Sequence, residues 1–378
     1  MGLFLLCVLL FLEISNWRDG IVIGRLWVGR SMFWILPGIE DIPFVKPWRA
    51  ILVKRTILSV IWFVAAAVIT RLAILIFCGK GVKIMNQNAA YRVKTDGFHG
   101  DLFCPAQDAY PGKALICFSG SDGRFELTRR LAAVFQAHGL TVLALAYVME
   151  EGLPDQFYHV PIDTLEAAAK RLHDMGYEKV GLWGISKGAE LALTAGSLLP
   201  GLVNAVAAAA PISTVCQGFT KKKGITLLPG SSWRFHGEEL PYTSFGLKKF
   251  PLGHVLQKSL IARELTMYDL YLPVVQKPNP AAVIKAEKIT GPVLLISSGM
   301  DTMWTSELAA EQVMDRLRQH SFPYFCQHLR YDYGGRLFVP VEFWMTKLFK
   351  GDRGQNREPG RKARMDSLTK TLEFVSQW

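Results

Sequence analysis

The sequence has few cysteines and no spacing typical of a zinc knuckle. Only six cysteines occur among 378 residues, and no two of them form a C-x-x-C pair. Cys117 and Cys326 lie in apolar, strand-like runs, where a cysteine usually acts as a small buried hydrophobic residue. The sequence therefore favours free thiols in a core over a disulfide framework, and it predicts neither a metal site nor a cofactor.

Motifs typical of nucleic-acid binding are also missing. The sequence contains no RNP-like motif and no basic helix, so we expect no nucleic-acid partner despite the net charge of +11. The positive charge is concentrated near the N-terminus, where residues 1–83 hold ten Lys or Arg against four Asp or Glu. Basic residues flank apolar runs in this region, which is typical of a membrane-proximal segment.

One apolar run is long enough to cross a bilayer. Residues 56–79 supply the roughly 20 residues that a transmembrane helix needs, and basic residues flank both ends. A buried core helix is the alternative. Residues 2–12 form a possible second membrane segment, although they lack the basic start of a standard signal peptide. We therefore expect residues 1–83 to anchor the protein in a membrane, and the basic residues of 17–55 favour the cytoplasmic side for that stretch.

From about residue 90, short apolar runs alternate with helical patterns. Strands are predicted at runs such as ALICF and TVLALAY, and helices at stretches such as FELTRRLAAVFQAHG and IDTLEAAAKRLHDMG. This alternation indicates βαβ units and a mainly parallel, doubly wound sheet. Residues 84–378 are therefore predicted to form one α/β domain. Residues 212–290 interrupt the alternation and are predicted to be a lid-like insertion over the carboxyl edge of the sheet, where ligands bind.

A G-x-S-x-G pattern occupies residues 184–188. The apolar run KVGLWG leads into it and a helical pattern follows, which is the strand–turn–helix context of a nucleophile elbow. In that context Ser186 is the predicted nucleophile, and the backbone N–H of Lys187 is predicted to face a developing oxyanion. The SGSDG loop predicts a second oxyanion donor at Ser121 or Asp122. A structural serine is the alternative, because the pattern also arises by chance.

The partners of the nucleophile are expected further along the chain, since an α/β-hydrolase carries its triad in the order Ser, acid, His. Asp301 follows the late apolar run PVLLISS and is the predicted acid, with a helix cap as the alternative. No histidine occurs in the loop YDYGGRLFVP, where the triad histidine is expected. Arg336 lies there instead. His254, His320 and His328 are the candidates for a replacement base.

Several stretches, in the same order along the chain, resemble one family. The chain resembles the C-terminal catalytic domain of the acyl-CoA thioester hydrolases and bile acid-CoA:amino acid N-acyltransferases, a dienelactone-hydrolase-like domain. The stretches that carry the resemblance are FSGSDG, LALAYVMEEGLP, VGLWGISKGAELAL, SSWRFHGEELPY and IKAEKITGPVLLISSGMD. The resemblance extends from about residue 100 to residue 378. It implies an α/β-hydrolase fold with Ser186 as nucleophile and Asp301 as acid. The family's histidine falls in a Gly-His pair, which is replaced here by Gly335-Arg336.

Three functions are compatible with this resemblance. The first is hydrolysis of a fatty acyl thioester or ester through an acyl-enzyme on Ser186, because a serine suits hydrolysis whereas the family's N-acyltransferases resemble cysteine enzymes. The second is a catalytically impaired hydrolase that binds an acyl ligand at a membrane, since an arginine cannot act as a general base. The third is a carboxylesterase or peptidase on the same fold. The expected partners are an acyl-CoA or acyl ester and a membrane.

Overall fold

The computed structural model describes most of the chain beyond residue 88. The described residues are 89–222, 224–247, 249–339, 341, 346 and 348–378, together with the backbone of three short strands nearer the N-terminus. The chain divides into two compact units, Met1–Lys83 and Ile84–Trp378.

In the first unit, the described backbone forms a three-stranded antiparallel sheet. Its strands, in spatial order, are β1 (Leu12–Ile14), β2 (Gly24–Val28) and β3 (Ser31–Ile35). The predicted membrane span 56–79 lies outside the described residues, and so does the predicted segment 2–12 apart from the backbone of Leu12. Within the described part of the chain, no helix is both long enough and apolar enough to span a membrane.

The second unit alternates strands and helices through most of its length. Its strands are β4 (Ala89–Tyr91), β5 (His99–Phe103), β6 (Lys113–Phe118), β7 (Thr141–Ala146), β8 (Val160–Pro161), β9 (Lys179–Ile185), β10 (Ala205–Ala209), β11 (Gln217–Thr220), β12 (Thr226–Ser231), β13 (Trp233–Phe235), β14 (Glu238–Glu239), β15 (Val293–Ser298) and β16 (Cys326–Tyr331). Its helices are α1 (Val93–Asp96), α2 (Phe125–Ala137), α3 (Asp163–Asp174), α4 (Lys187–Leu198), α5 (Leu252–Ala262), α6 (Tyr268–Gln276), α7 (Ser306–Gln319) and α8 (Arg357–Gln377).

Eight strands form the central sheet, in the order β4-β5-β7-β6-β9-β10-β15-β16. From β7 to β16 along this order, neighbouring strands pair in parallel. β4 and β5 extend the β7 edge with antiparallel pairs. This mixed, mainly parallel sheet has the architecture of the predicted α/β-hydrolase fold. The carboxyl ends of the parallel strands meet at one edge of the sheet, where the site lies.

Helices cover both faces of the sheet. On β6, Leu115 belongs to the hydrophobic core of one face, which α2 and α8 complete, and Ile116 belongs to the core of the other face, which α3, α4 and α7 complete. Neighbouring residues of a strand point to opposite faces. A strand buried on both sides therefore needs a continuous apolar run, which is why ALICF lacks the polar alternation of a half-exposed strand.

The described part of the insertion, residues 212–290 without 223 and 248, contributes four strands and two α-helices. β11 pairs antiparallel with β12, while β13 pairs antiparallel with β14 and in parallel with β8. Trp233 of β13 joins the insertion to the first turn of α4, because its indole Nε1 donates a hydrogen bond to Glu190 at 2.7 Å. Helices α5 and α6 follow in the chain and lead back toward β15.

Candidate active site

Ser186 lies in the sharp turn between β9 and α4. β9 ends at Ile185 and α4 begins at Lys187, so a single residue joins strand to helix. Ser186 adopts φ 60° and ψ −121°, a backbone conformation that is uncommon for a residue with a side chain. Its backbone N–H donates to the carbonyl oxygen of Ala209 at 2.9 Å, which ties the turn to β10. This is the geometry of a nucleophile elbow.

The two glycines of the G-x-S-x-G pattern allow β9, α4 and the loop after β6 to approach one another. A Cβ atom on Gly184 would overlap the carbonyl oxygen of Gly188 and lie 2.7 Å from a ring carbon of Phe118. A Cβ atom on Gly188 would overlap the carbonyl oxygen of Ser119. Close packing of the backbone therefore requires glycine at both positions.

Gly184→Ala is expected to lower the free energy of unfolding of the full-length protein by about 1–3 kcal/mol, because the added methyl group overpacks a backbone contact that cannot move freely. Urea denaturation measures this loss. Gly253→Ala in α5 is the control, since nothing lies within 4 Å of a Cβ atom added there. At that helical position alanine should be neutral or stabilise by about 0.5–1 kcal/mol. Equal stability of Gly184→Ala and the wild type would contradict the packing argument.

The N-terminus of α4 and the SGSDG loop, where the oxyanion donors are predicted, both lie beside Ser186. Lys187 is the first residue of α4, so its backbone N–H has no acceptor within the helix. Gly120 is the loop residue packed against the hydroxyl, because a Cβ atom there would lie 3.1 Å from Ser186 Oγ. The Tyr147 hydroxyl lies 3.0 Å from the carbonyl oxygen of Ser119 and 2.9 Å from that of Gly120, and so fixes the loop backbone.

Ser121 and Asp122, the predicted oxyanion donors, lie in the turn that follows Gly120. The backbone N–H of Gly123 closes this turn by donating to the carbonyl oxygen of Gly120 at 3.3 Å. Lys221 donates to the carbonyl oxygen of Ser121. Burial raises the pKa of the Asp122 carboxyl group. The oxyanion role of Ser121 and Asp122 stays a prediction, and Gly120, which has no side chain to attract notice, is the loop residue that contacts the serine.

Asp301 lies in the turn between β15 and α7. Its backbone N–H donates to the carbonyl oxygen of Ser298 at 3.1 Å, and its Oδ1 accepts from the backbone N–H of Met303 at 3.0 Å. α7 begins later, with Thr305 at the N-cap position, so Asp301 is not a helix cap. The second carboxylate oxygen, Oδ2, remains available to face the site.

The Arg336 guanidinium joins Asp301 to Ser186. Its Nη1 donates to Asp301 Oδ2 at 3.0 Å, and its Nη2 donates to Ser186 Oγ. The Cζ atom lies 4.0 Å from the centroid of the Trp304 ring, a favourable cation–π position. The side chains of Arg336 and Asp301 are only 6% and 1% exposed, so the ion pair is shielded from water and from salt.

Arg336 occupies the place between nucleophile and acid in which a triad holds its base. A triad histidine accepts the serine proton on one nitrogen and donates to the acid from the other. A guanidinium has only donors and stays protonated at any ordinary pH. The Ser186 oxygen is therefore an acceptor in this contact, and the arrangement can hold a polar group but cannot remove the serine proton.

A second buried ion pair supports the loop that carries Arg336. Arg364 of α8 pairs with Asp352, and their side chains are 5% and 0% exposed. A Cβ atom on Gly335 would lie 3.1 Å from Asp352 Oδ2, and both Gly334 and Gly335 have positive φ, at 109° and 54°. The paired glycines therefore let the loop pass closely over Asp352, in a conformation that residues with side chains rarely adopt.

His328 does not supply the missing base. It lies on β16, and its Nε2 is 2.7 Å from Ser297 Oγ. Burial lowers the pKa of its imidazole, which favours the neutral ring. It makes no hydrogen bond to Ser186 or Asp301, and it lies on the edge strand of the central sheet.

His254 and His320 are also engaged elsewhere. His254 of α5 lies 3.5 Å from the carboxylate of Asp269. His320 follows the last residue of α7, and its Nδ1 lies 2.9 Å from a backbone carbonyl oxygen of that helix. Across the residues that the structure describes, no histidine is hydrogen-bonded to Ser186 or Asp301. Nor does any group of three His, Cys, Asp or Glu side chains in that part of the chain lie where it could hold a metal ion.

A buried polar cluster beside the elbow was missed by the sequence prediction. Lys187 Nζ donates to Glu190 Oε2 at 2.8 Å, and these side chains are 4% and 0% exposed. The other oxygen, Oε1, accepts from the Trp233 indole at 2.7 Å and from the Cys216 backbone N–H at 2.9 Å. A Lys and a Glu three residues apart in the first turn of a helix are a local signal for an ion pair. The other two partners of Glu190, Trp233 and Cys216, lie in the insertion, far away in sequence.

The chain is similar to known proteins over part of its length. Residues 166–347 match the family described as "BAAT / Acyl-CoA thioester hydrolase C terminal". This part of the chain is similar to that family. The matched region includes Ser186, Asp301 and Arg336, and the resemblance predicted from the sequence is confirmed.

Curated relatives of the family include both hydrolases and transferases. Human acyl-coenzyme A thioesterase 1 is 28% identical over 234 residues, which cover 60% of this chain and 49% of the relative. Rat acyl-coenzyme A amino acid N-acyltransferase 2 is 28% identical over 250 residues, which cover 65% of this chain and 52% of the relative. The chain thus spans about half the length of these relatives. A dienelactone hydrolase from Anabaena variabilis is 16% identical, with a TM-score of 0.37 over 73% of this chain and 94% of that one.

Proposed function

We propose that this protein binds a fatty acyl thioester or ester beside Ser186, and that Arg336 keeps the serine from acting as a nucleophile. The observation that carries the proposal is the Arg336 guanidinium, which donates to both Ser186 Oγ and Asp301 Oδ2 in a shielded site. The protein would then be a member of the thioester hydrolase family that retains the acyl site and lacks its base.

The chemistry of the site supports weak catalysis at most. A serine hydroxyl is a poor nucleophile unless a neighbouring group accepts its proton. Asp301 is the remaining acceptor near the site, and its Oδ2 is already paired with the guanidinium. An intact oxyanion hole alone gives about 10³- to 10⁴-fold catalysis over water. We therefore expect turnover far below that of an enzyme with a complete triad.

An apolar wall beside Arg336 supports binding of an acyl chain. Trp304, which lies under the guanidinium, packs edge-on against Tyr271 of α6 with ring centroids 5.0 Å apart. Tyr271 in turn packs against Phe245, at 5.1 Å. Ile212 and Val275 belong to the same hydrophobic cluster. Trp304 and these side chains of the insertion therefore form an apolar cluster beside the Arg336 guanidinium, and an apolar lining is what an acyl chain requires.

The first test is covalent labelling of the full-length protein with a fluorophosphonate, which reacts only with an activated serine. Wild type and Ser186→Ala should both remain unlabelled, whereas Arg336→His should be labelled at Ser186. Calorimetric titration with a long-chain acyl-CoA should detect binding to the wild type, with the thioester recovered intact. Rapid labelling of the wild type would contradict silencing by Arg336, and absence of acyl-CoA binding would contradict an acyl-CoA site.

A second candidate, hydrolysis through a Ser186 acyl-enzyme, is favoured by the elbow itself. Ser186 keeps its positive φ of 60°, and Gly120 still packs against its hydroxyl. These features suit attack on a thioester or on a simple carboxylic ester. Side-by-side assays with an acyl-CoA and a p-nitrophenyl ester separate a thioesterase from a carboxylesterase, and loss of either activity in Ser186→Ala would support this candidate.

A further inference from the structure

Helix α5 in the insertion turns apolar side chains toward solvent. Leu252, Leu256 and Leu260 are 51%, 44% and 37% exposed, and Ile261 is 73% exposed. Residues four apart lie on one face of a helix, so the three leucines form a continuous stripe. Ile261 widens this apolar surface around the helix. We call this surface, made of Leu252, Leu256, Leu260 and Ile261, the α5 arc.

The α5 arc reverses the usual pattern of a surface helix, whose apolar stripe faces the core. The inward side of α5 has a single buried residue, Val255. Next to it, Ser259 accepts a hydrogen bond from the backbone N–H of Thr266 at 3.2 Å. The helix is therefore held by a small inner face while most of its large apolar side chains stay outside. A contiguous apolar patch of this kind is typical of an interaction surface.

The chain that follows α5 connects the helix to the candidate site. The Thr266 hydroxyl donates to the carbonyl oxygen of Thr302 at 2.7 Å, and the backbone N–H of Met267 donates to the same oxygen at 3.2 Å. Thr302 is the direct neighbour of Asp301. The α5 arc is thus attached to the carboxyl edge of the sheet, on the same side of the domain as Ser186.

We propose that the α5 arc docks on the surface of an anionic lipid bilayer. One observation and one sequence prediction favour this occupant. Exposed basic residues bracket the helix, with Lys249 just before it and Arg263 just after it, where both can reach lipid phosphates while the leucines enter the acyl region. The same chain also carries residues 56–79, an apolar run with basic flanks that is predicted to cross a bilayer. That predicted span would tether the chain to a bilayer.

Docking would orient the carboxyl edge of the sheet toward the lipid. The aromatic wall beside Arg336 would then face the phase in which long acyl chains concentrate. The inference rests on the exposure of the arc and the charges at its ends, and it holds whether or not Ser186 turns over its ligand.

The test is photocrosslinking of the full-length protein in vesicles of phosphatidylcholine and phosphatidylserine, about 4:1, that contain a diazirine-labelled phospholipid. Peptide mapping should place lipid adducts within 252–261 and, as an internal reference, within 56–79. Replacing all three leucines of the arc by glutamine should reduce adducts at α5 by at least about fivefold and leave the reference unchanged. The wild-type map itself needs no variant, so poor folding of the triple variant would not obscure the result.

A matched control replaces exposed apolar side chains elsewhere. Met175 and Met365 are 40% and 42% exposed, and changing both to glutamine should leave the α5 adducts unchanged. Adducts confined to 56–79 would overturn the proposal. Crosslinks from α5 to a second copy of the chain, or to the protein's own residues 56–79, would overturn it as well, because another surface would then cover the arc.

Discussion

Arg336→His is expected to raise hydrolysis of a long-chain acyl-CoA by about 10²- to 10⁴-fold, the usual contribution of a positioned general base. An imidazole at this position would accept the Ser186 proton on one nitrogen and donate to Asp301 from the other. The elbow at Ser186 already has its positive φ, and the loop at Gly120, where the second oxyanion donor is predicted, already packs against it. The measurement is kcat for thiol release by the full-length protein, with the wild type assayed beside it.

Two variants distinguish the effect of adding a base from the effect of removing the charge of Arg336. Arg336→Gln frees the Ser186 hydroxyl without adding a base and should remain as inactive as the wild type. Ser186→Ala in the Arg336→His background should lose the gain. If Arg336→Gln gained as much as Arg336→His, the absence of a base would not be the cause of silencing. A wild type as fast as Arg336→His would refute silencing altogether.

Glu190→Gln is expected to lower the free energy of unfolding by about 3–5 kcal/mol, because it leaves the Lys187 ammonium buried without a counter-charge. The Glu190 side chain is fully buried and holds three donors, on Lys187, Trp233 and Cys216. The loss of stability would also affect the candidate site, because Lys187 is the first residue of α4 and directly follows Ser186. Urea denaturation followed by far-UV circular dichroism measures the change.

Glu373→Gln provides the matched control on α8. Its ion pair with Lys370 has almost the same length, 2.8 Å, but the two side chains are 50% and 39% exposed. An exposed pair of this kind contributes about 0.2–1 kcal/mol, so this variant should unfold close to the wild type. If the two variants lost equal stability, burial would not be the source of the effect at Glu190.

The fold could be predicted from the sequence because its strands and helices carry strong local signals. Runs such as ALICF and TVLALAY are buried on both faces and contain almost no polar residues, so the mainly parallel sheet was recognisable. The order of the strands was not recognisable. Whether β10 neighbours β9 or β6 depends on packing between segments far apart in the chain, and no local pattern records it.

Some parts of the candidate site could be predicted from the sequence and others could not. The elbow at Ser186 was predictable, because strand, turn and helix are consecutive and the glycines at 184 and 188 mark the close approach. Asp301 was predictable from its place after a late strand. Gly120 was not singled out, since a glycine in a loop carries no chemical signal until its neighbour in space is known.

The sequence by itself determined that Arg336 lies in the loop where the family resemblance predicts a histidine, and this predicts that the site lacks a base. Only the tertiary structure decided what that arginine does. Arg336 is 150 residues from Ser186 and 35 from Asp301 along the chain, yet its guanidinium reaches both. The same holds for the Glu190 cluster and for the α5 arc. Contacts between distant segments and the exposure of a helix face are set by how the whole chain packs, and a linear pattern does not contain them.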